Sequence, residues 1–338
     1  MSNYPNWEGW TGNRTVIIAE VGINHGGDEA LAWDMILSAH KNGADFVKLQ
    51  SFITNEFFHP SLSYYSDTES MELSSEAQTK IYENAAHEGI KLITTPYDIS
   101  SVDTADRFNP YAHKIASMDN NNERLISYIA KKQRPVIVSC GMASLSEIHE
   151  IVNLFQKEKN DKLVLLHCVS NYPTKAKDLN LSMIPFLKET FNVFVGFSDH
   201  SIGLDADFIA ISLGASIIEK HFTIDRSLAN KYPEADHDIS IEPDELKRLR
   251  EFSESASVML GKAPRIISEE EVNGRLEYRR GIYASLDIHP GRELTEKNTI
   301  FLRPVRGIEA GLWKTIKGQK AKRFIPSFAP VVYSDIGL

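Results

Sequence analysis

Two stretches in the second half of the chain, Val195-Gly-Phe-Ser-Asp-His200 and Ser216-Ile-Ile-Glu-Lys-His221, each run as a β-strand pattern into a histidine. A helical segment separates them, so two neighbouring parallel strands would bring two imidazoles, two carboxylates and a lysine to one sheet edge. Imidazole is a common ligand for divalent transition metals, carboxylates orient such a site or move protons, and lysine suits a substrate phosphate. A lone histidine is more often a hydrogen-bonded core residue than a ligand. Here the other strand ends carry polar groups as well, which points to chemistry.

Those ends read, in order, Glu20 with Asn24-His25; Lys48 and Gln50; Thr94-Thr95; Lys114 and Ser117; Ser139; His167 with Ser170-Asn171-Tyr172; Ser198-Asp199-His200; and Glu219-Lys220-His221. Lysines 48, 114 and 220 and several hydroxyls in one mouth favour an anionic substrate, because ammonium and hydroxyl donors together replace the water around a phosphate or carboxylate.

The elements that must position them are short runs of Val, Ile, Leu and Phe at 16–21, 46–52, 91–95, 113–116, 135–139, 163–168, 193–198 and 216–221. Helical periods lie between. Ala32, Met35, Ile36 and Ala39 share a face before Gly43, and Leu145, Ile148, Ile151, Val152 and Phe155 follow a capping box, Ser144 with Glu147. After the last strand, Leu246, Leu249, Phe252, Ala256 and Leu260 repeat the pattern. Eight β/α units over roughly 250 residues predict an α/β fold of the (β/α)8 TIM-barrel type. The alternative is an open doubly wound sheet, but no glycine-rich dinucleotide loop follows the first strand. Residues 264–278 are polar and charged and read as a linker; beyond them, short pieces punctuated by Gly and Pro predict a small β-rich module. The expected division is an N-terminal extension (1–14), the barrel (15–262), a linker (263–278) and the module (279–338).

A chain of 338 residues, 42% hydrophobic, is large enough for a barrel with a small second domain. Net charge is −9, from 46 acidic and 37 basic residues with no extended basic run, which argues against nucleic acid or an anionic membrane as a partner. Two cysteines, Cys140 and Cys168, rule out a disulfide framework by count. With no basic start leading into an apolar run, and no apolar stretch of bilayer length, the expected location is the cytoplasm.

Several motifs resemble one family in order along the chain. Ile18-Ala-Glu-Val-Gly-Ile-Asn-His-Gly-Gly27, Lys48-Leu-Gln-Ser-Phe52, Thr95-Pro-Tyr-Asp98, Lys114-Ile-Ala-Ser117, Ser139-Cys-Gly-Met142, Leu166-His-Cys-Val-Ser-Asn-Tyr-Pro173, Gly196-Phe-Ser-Asp-His-Ser201 and Ile218-Glu-Lys-His-Phe-Thr223 are similar to blocks of the sialic acid (N-acetylneuraminate) synthase family. Arg279-Arg-Gly-Ile-Tyr-Ala284 and Arg303-Pro304 resemble the antifreeze-like (SAF) domain those enzymes carry. The resemblance implies condensation of phosphoenolpyruvate with the open-chain aldehyde of an N-acyl amino sugar, chiefly N-acetylmannosamine, with release of phosphate by C–O cleavage. It implies a divalent metal, Mn²⁺ or Mg²⁺, on His200 and His221. It carries phosphoenolpyruvate contacts to Lys48, Thr95, Lys114, Ser117, Ser139 and Ser198, and sugar contacts to Glu20, Gln50, Asn171, Tyr172 and Asp236. Glu20 is also placed to assist proton transfer.

Asp119 stands where many members have glutamate, which leaves room for a different sugar substituent. Asp236-His237 is of the kind that neuraminate and legionaminate synthases show and pseudaminate-type members tend to lack, although Glu234-Ala235 replaces the usual Gly-Pro. The resemblance further implies a homodimer with swapped C-terminal domains, in which Arg303, or alternatively Arg306, reaches the partner's sugar. Two rivals stay open on the residues alone: a Schiff-base aldolase using Lys48, Lys114 or Lys220, and a non-catalytic sugar-binding protein.

Overall fold

The computed structural model describes residues 14–261 and 263–337, so the expected N-terminal extension lies, but for Arg14, outside the described residues; these divide into two compact units, 14–261 and 263–337. In the first, eight parallel strands close into a barrel: β1 (Val16–Gly22), β2 (Phe46–Ser51), β3 (Leu92–Pro96), β4 (His113–Ile115), β5 (Val136–Ser139), β6 (Leu163–Cys168), β7 (Phe194–Asp199) and β8 (Ile217–His221). β8 returns to pair with β1, so no edge is left open. The eight expected strands are all present, with ends that differ by one residue at most. The fold is therefore the TIM barrel, and the open sheet is excluded.

The first helix, α1 (Glu29–Lys41), begins where the Asp28 carboxylate caps the N–H groups of Ala30 and Leu31, and it buries Ala32, Met35, Ile36 and Ala39. Between β2 and β3 the chain makes α2 (Thr54–Phe57), α3 (Tyr65–Met71) and α4 (Ser75–His87) rather than one helix. Four helices follow the next strands in turn: α5 (Ile99–Asp106), α6 (Glu123–Lys131), α7 (Leu145–Lys157) and α8 (Met183–Phe191). The Ser144–Glu147 capping box opens α7 as expected. Last come α9 (Asp205–Ser212) and α10 (Pro243–Leu260). On α10, Leu246, Leu249 and Ala256 are buried, whereas Leu260, at the last turn, is exposed.

Inside the barrel, side chains of period two change character along each strand. Near the N-terminal pole Val16, Ile18, Phe46, Ile93, Ala112, Ile137, Phe194 and Ile217 form an apolar plug. One or two steps on, the same rows read Glu20, Lys48, Thr95, Lys114, Ser139, Ser198 and Glu219, which line a cavity instead. A bulge in the β1–β2 register at Gly22, whose φ of +57° suits glycine, brings the Gln50 amide over Glu20, with Nε2 donating to Oε1 at 3.2 Å.

Three mouth loops are packed together. At Gly26 (φ +56°) a Cβ would sit 2.2 Å from the Tyr232 ring, and at Gly27 (φ +80°) one would sit 2.3 Å from the Ser70 carbonyl oxygen. Only glycine permits this contact of the β1 loop with both α3 and the loop after β8.

The second unit has its own core of Ile282, Ala284, Ile288, Leu294, Ile308, Ile316, Ala321, Ile325, Val331 and Ile336. It is built on an antiparallel pair, β9 (Gly281–Ala284) and β10 (Thr299–Leu302), with single bridges such as Ile288 to Ile325. The stretch expected to be a linker contains a helix, α11 (Glu269–Tyr278), opened by a Ser268–Glu271 capping box. Its charge run gave the linker reading, but the box supplies the start signal and Val305 N–H closes the far end on Leu276 O at 2.7 Å. Among the described residues no helix is long and apolar enough to cross a membrane.

Candidate active site

A cavity of about 480 Å³ opens at the C-terminal mouth of the barrel. A larger one, about 870 Å³, lies at the opposite pole, but the apolar plug and α4 supply much of its wall and none of the strand-end groups reaches it. The strand-end polar groups gather at the smaller cavity. Of the expected site residues, Glu20, Lys48, Gln50, Thr95, Lys114, Ser117, Ser139, Tyr172, Ser198, His200, His221 and Asp236 line it.

The floor is an alternation of charge. Lys48 Nζ lies 2.8 Å from Glu20 Oε1, donates to Thr95 Oγ1 at 2.8 Å, and stands 3.8 Å from Glu219 Oε2. Lys114 Nζ is 3.7 Å from Glu219 Oε1, which also accepts from Ser198 Oγ at 2.9 Å. Burial would raise the Glu219 pKa, but Lys114, Lys48 and Ser198 outweigh it and hold the carboxyl at about 2. Burial lowers Lys114, against the pull of Glu219. Glu20 Oε2, Ser139 Oγ and Ser170 Oγ are buried without a hydrogen-bond partner, so acceptor and donor capacity is left facing the cavity.

Above the floor stand the two histidines. Their ring centroids are 5.5 Å apart, and Tyr172 stacks on His200 at 4.0 Å. His200 Nδ1 donates to Val169 O at 2.9 Å, which leaves Nε2 with its lone pair. His221 Nδ1 is buried without a hydrogen-bond partner, 3.5 Å from Asp236 Oδ2. Among the described residues no group of three or more His, Cys, Asp and Glu side chains forms a closed metal cage. Two imidazoles beside carboxylates are a donor set that fits a divalent cation taking its remaining ligands from elsewhere.

Several strand-end groups point away from the mouth. Lys220 was expected in it, but the pleat turns it to the outer face, where it is fully buried against Asp199 and Asp207. His167 lies outside the cavity too, hydrogen-bonded through Nε2 to Leu179 O at 2.7 Å, and His25 is buried in its loop with Nδ1 accepting from Gly27 N–H. Asn171 is exposed and Asp119 pairs with Asn122 at 3.4 Å; neither lines the cavity. Arg303 belongs to the second unit, where it is exposed, and Arg306 is held there by Glu277 at 2.8 Å. His237 is buried, its Nδ1 against the Thr223 hydroxyl at 2.8 Å, and it does not line the cavity.

Strand-end reasoning undervalued Glu219, although it stands two residues before His221 and so had to share its face. It also missed a wall formed by Phe52, Phe57, Phe58, Tyr64, Met71, Tyr97 and Met142. Most of this wall comes from the stretch between β2 and β3, which is longer than one helix requires and carries the doublet Phe57-Phe58.

Residues 35–265 match the family model described as the NeuB family. The chain belongs to it. Pseudaminic acid synthase of Campylobacter jejuni is 36% identical over 93% of this chain and 94% of its own. N,N'-diacetyllegionaminic acid synthase of Legionella pneumophila is 33% identical over 95% of this chain and 94% of its own. Among solved structures, an N-acetylneuraminic acid (sialic acid) synthetase from Leptospira borgpetersenii, in complex with citrate, is 36% identical with a TM-score of 0.73, over 77% of this chain and 90% of that one. The chain is thus an enzyme of the nonulosonate synthase family.

Proposed function

We propose that the enzyme condenses phosphoenolpyruvate with the open-chain form of an N-acyl amino sugar, N-acetylmannosamine or a related 2-acetamido hexose. The enol methylene attacks the sugar C1 aldehyde, water adds at C2 of the enol, and C–O cleavage releases phosphate. The observation that carries this reading is the set of buried ammoniums and unpartnered hydroxyls, Lys48, Lys114, Ser139 and Ser170, facing the imidazoles of His200 and His221 across one cavity.

Lys48 and Lys114, with Thr95, Ser117, Ser139 and Ser198, would hold the phosphate and carboxylate and aim the methylene at the carbonyl. Gln50, Tyr172 and Asp236 would hold the sugar. Glu20, tied to Lys48 but with one oxygen unpaired, would move the proton at the aldehyde oxygen. Glu20, Glu219 and Asp236 outnumber the two cavity lysines, so a polyanionic substrate needs added positive charge. A Mn²⁺ or Mg²⁺ ion bound by His200 and His221 would supply it and act as a Lewis acid toward the aldehyde. A further cation would be Arg303, brought by the C-terminal domain of a swapped partner in a homodimer.

The wall of Phe58, Tyr64, Met71 and Met142 favours a sugar with more apolar substituents than N-acetylmannosamine, such as a 2,4-diacetamido hexose of the legionaminate type. Because His237 bonds within the fold, its presence beside Asp236 does not by itself separate the neuraminate and legionaminate types from the pseudaminate type. Phosphate release from phosphoenolpyruvate with Mn²⁺ and a panel of 2-acetamido and 2,4-diacetamido hexoses tests the reading, with product mass naming the sugar. No release with any sugar would reject it. The lowered pKa of Lys114 favours one other reading, a Schiff-base aldolase. Borohydride trapping with pyruvate, and activity in a chelator, would support that instead.

A further inference from the structure

The wall behind the two histidines holds charges that the proposed chemistry does not use. Lys220, Asp199 and Asp207 are buried outside the barrel, between β7, β8 and α9. The Lys220 ammonium donates to Asp199 Oδ2 and to Ser201 O at 2.6 Å, and Asp207 Oδ2 lies 3.7 Å away. Asp199 in turn accepts from Ser201 N–H at 2.8 Å and from Ser201 Oγ at 3.0 Å. Asp199 thus shapes the turn that carries His200, and Lys220, the residue before His221, binds that turn across the strands.

Register explains why this matters. Ser198 pairs with Glu219 and Asp199 with Lys220 on adjacent strands. Successive pairs point in and then out, so the Ser198–Glu219 bond faces the cavity, the Asp199–Lys220 pair faces the helices, and the next residues, His200 and His221, face the cavity again. A buried ion pair costs desolvation, and apolar side chains of similar size often hold a fold equally well. Lys220 offers what they lack: directed bonds to a carboxylate and to a carbonyl on the same turn.

We propose that Lys220 is a positioning residue, which through Asp199 and Ser201 fixes the separation and aim of His200 and His221. The role of those histidines as metal ligands rests on the function proposed above; the clamp itself does not.

The test uses the full-length Asp199→Asn/Lys220→Met double variant, which removes both charges of the pair together and leaves Asp207 as the remaining carboxyl of the wall, beside the wild type and His221→Ala. Mn²⁺ affinity is read by electron paramagnetic resonance, stability by thermal melting, and ring positions by crystallography. A folded double variant should bind Mn²⁺ about 10- to 100-fold more weakly, the range for loss of groups that orient ligands. Its two rings should move from their 5.5 Å separation or turn. Turnover should fall while the Michaelis constant for phosphoenolpyruvate holds. Rings in place with affinity within twofold of the wild type would overturn the proposal. Should the wild type bind no Mn²⁺, the metal reading fails, and the ring positions alone decide the clamp: displaced rings uphold it, unmoved rings reject it. If the double variant does not fold, Lys220→Gln and Lys220→Arg are read by the same two measurements and the same criteria.

Discussion

Lys114 and Glu219 face each other 3.7 Å apart, both buried, where the apolar plug gives way to the cavity. A phosphate brought to this ammonium meets a charge already desolvated, so its removal should fall on one substrate. Lys114→Ala is expected to raise the Michaelis constant for phosphoenolpyruvate at least about thirtyfold, given about 2–5 kcal/mol for truncating a buried charge pair, and that for the sugar far less. Steady-state kinetics with each substrate varied in turn checks this; equal effects would place Lys114 elsewhere.

Glu219 makes a prediction about acid. Burial alone would raise its pKa, but the two ammoniums and Ser198 hold it at about 2 against an ordinary 4.5. A carboxyl depressed in the folded state contributes stability that is fully present above the unfolded value and is lost as pH falls through the folded one. The melting-temperature gap between wild type and Glu219→Gln should therefore hold above about pH 4.5 and narrow toward about pH 2. A gap that widens on acidification would contradict the charge assignment.

His237 should behave as a fold residue. Burial lowers its pKa, so the neutral ring bonds Thr223. His237→Ala is expected to cost about 0.5–3 kcal/mol of stability in chemical denaturation, from the lost hydrogen bond and the space the buried ring leaves, since Thr223 keeps Asp225 as a partner. The ratio of kcat/KM between two candidate sugars should stay unchanged. A shift in that ratio would give His237 a part in sugar choice.

The apolar wall predicts the opposite pattern. Tyr64→Ser with Met142→Ser should raise the Michaelis constant for a 2,4-diacetamido sugar several-fold, at about 25 cal/mol per Å² of lost apolar contact. The constant for phosphoenolpyruvate should not move. If both sugars suffer equally, the wall does not discriminate between them.

Because each unit has its own core, a chain ending at Gly261 should stay folded by circular dichroism yet lose most sugar turnover. Mixing it with full-length His221→Ala should restore part of that turnover if Arg303 acts in trans. Full activity of the shortened chain, or of a monomer in sedimentation, would reject the shared site.

What could be read from the sequence follows physical rules that act locally. Barrel strands announce themselves because both faces are buried, and the helix start at Ser144 because its side chain satisfies a backbone donor three residues on. Lys220 failed for the converse reason: a strand end was read as a point, whereas the pleat sends adjacent residues to opposite faces. The same period would have promoted Glu219 with His221. The wall from Phe52 to Met71 stayed hidden because its residues meet the mouth only through tertiary packing. The helix at Glu269–Tyr278 was masked by its own charge, which the Ser268 cap outweighs.

The glycine pair at 26 and 27 has a consequence for how sugar preference can change. Tyr232 rests against one glycine and the Ser70 carbonyl against the other, so the aromatic wall and the acidic loop bearing Glu234 and Asp236 share a single hinge plate. Neither loop can be exchanged for a relative's without disturbing the seat of the other. Grafting residues 52–74 alone should yield a chimera that folds and binds phosphoenolpyruvate but handles no sugar well. Moving that segment together with the β1 and β8 loops should carry the donor's preference across as one inherited block.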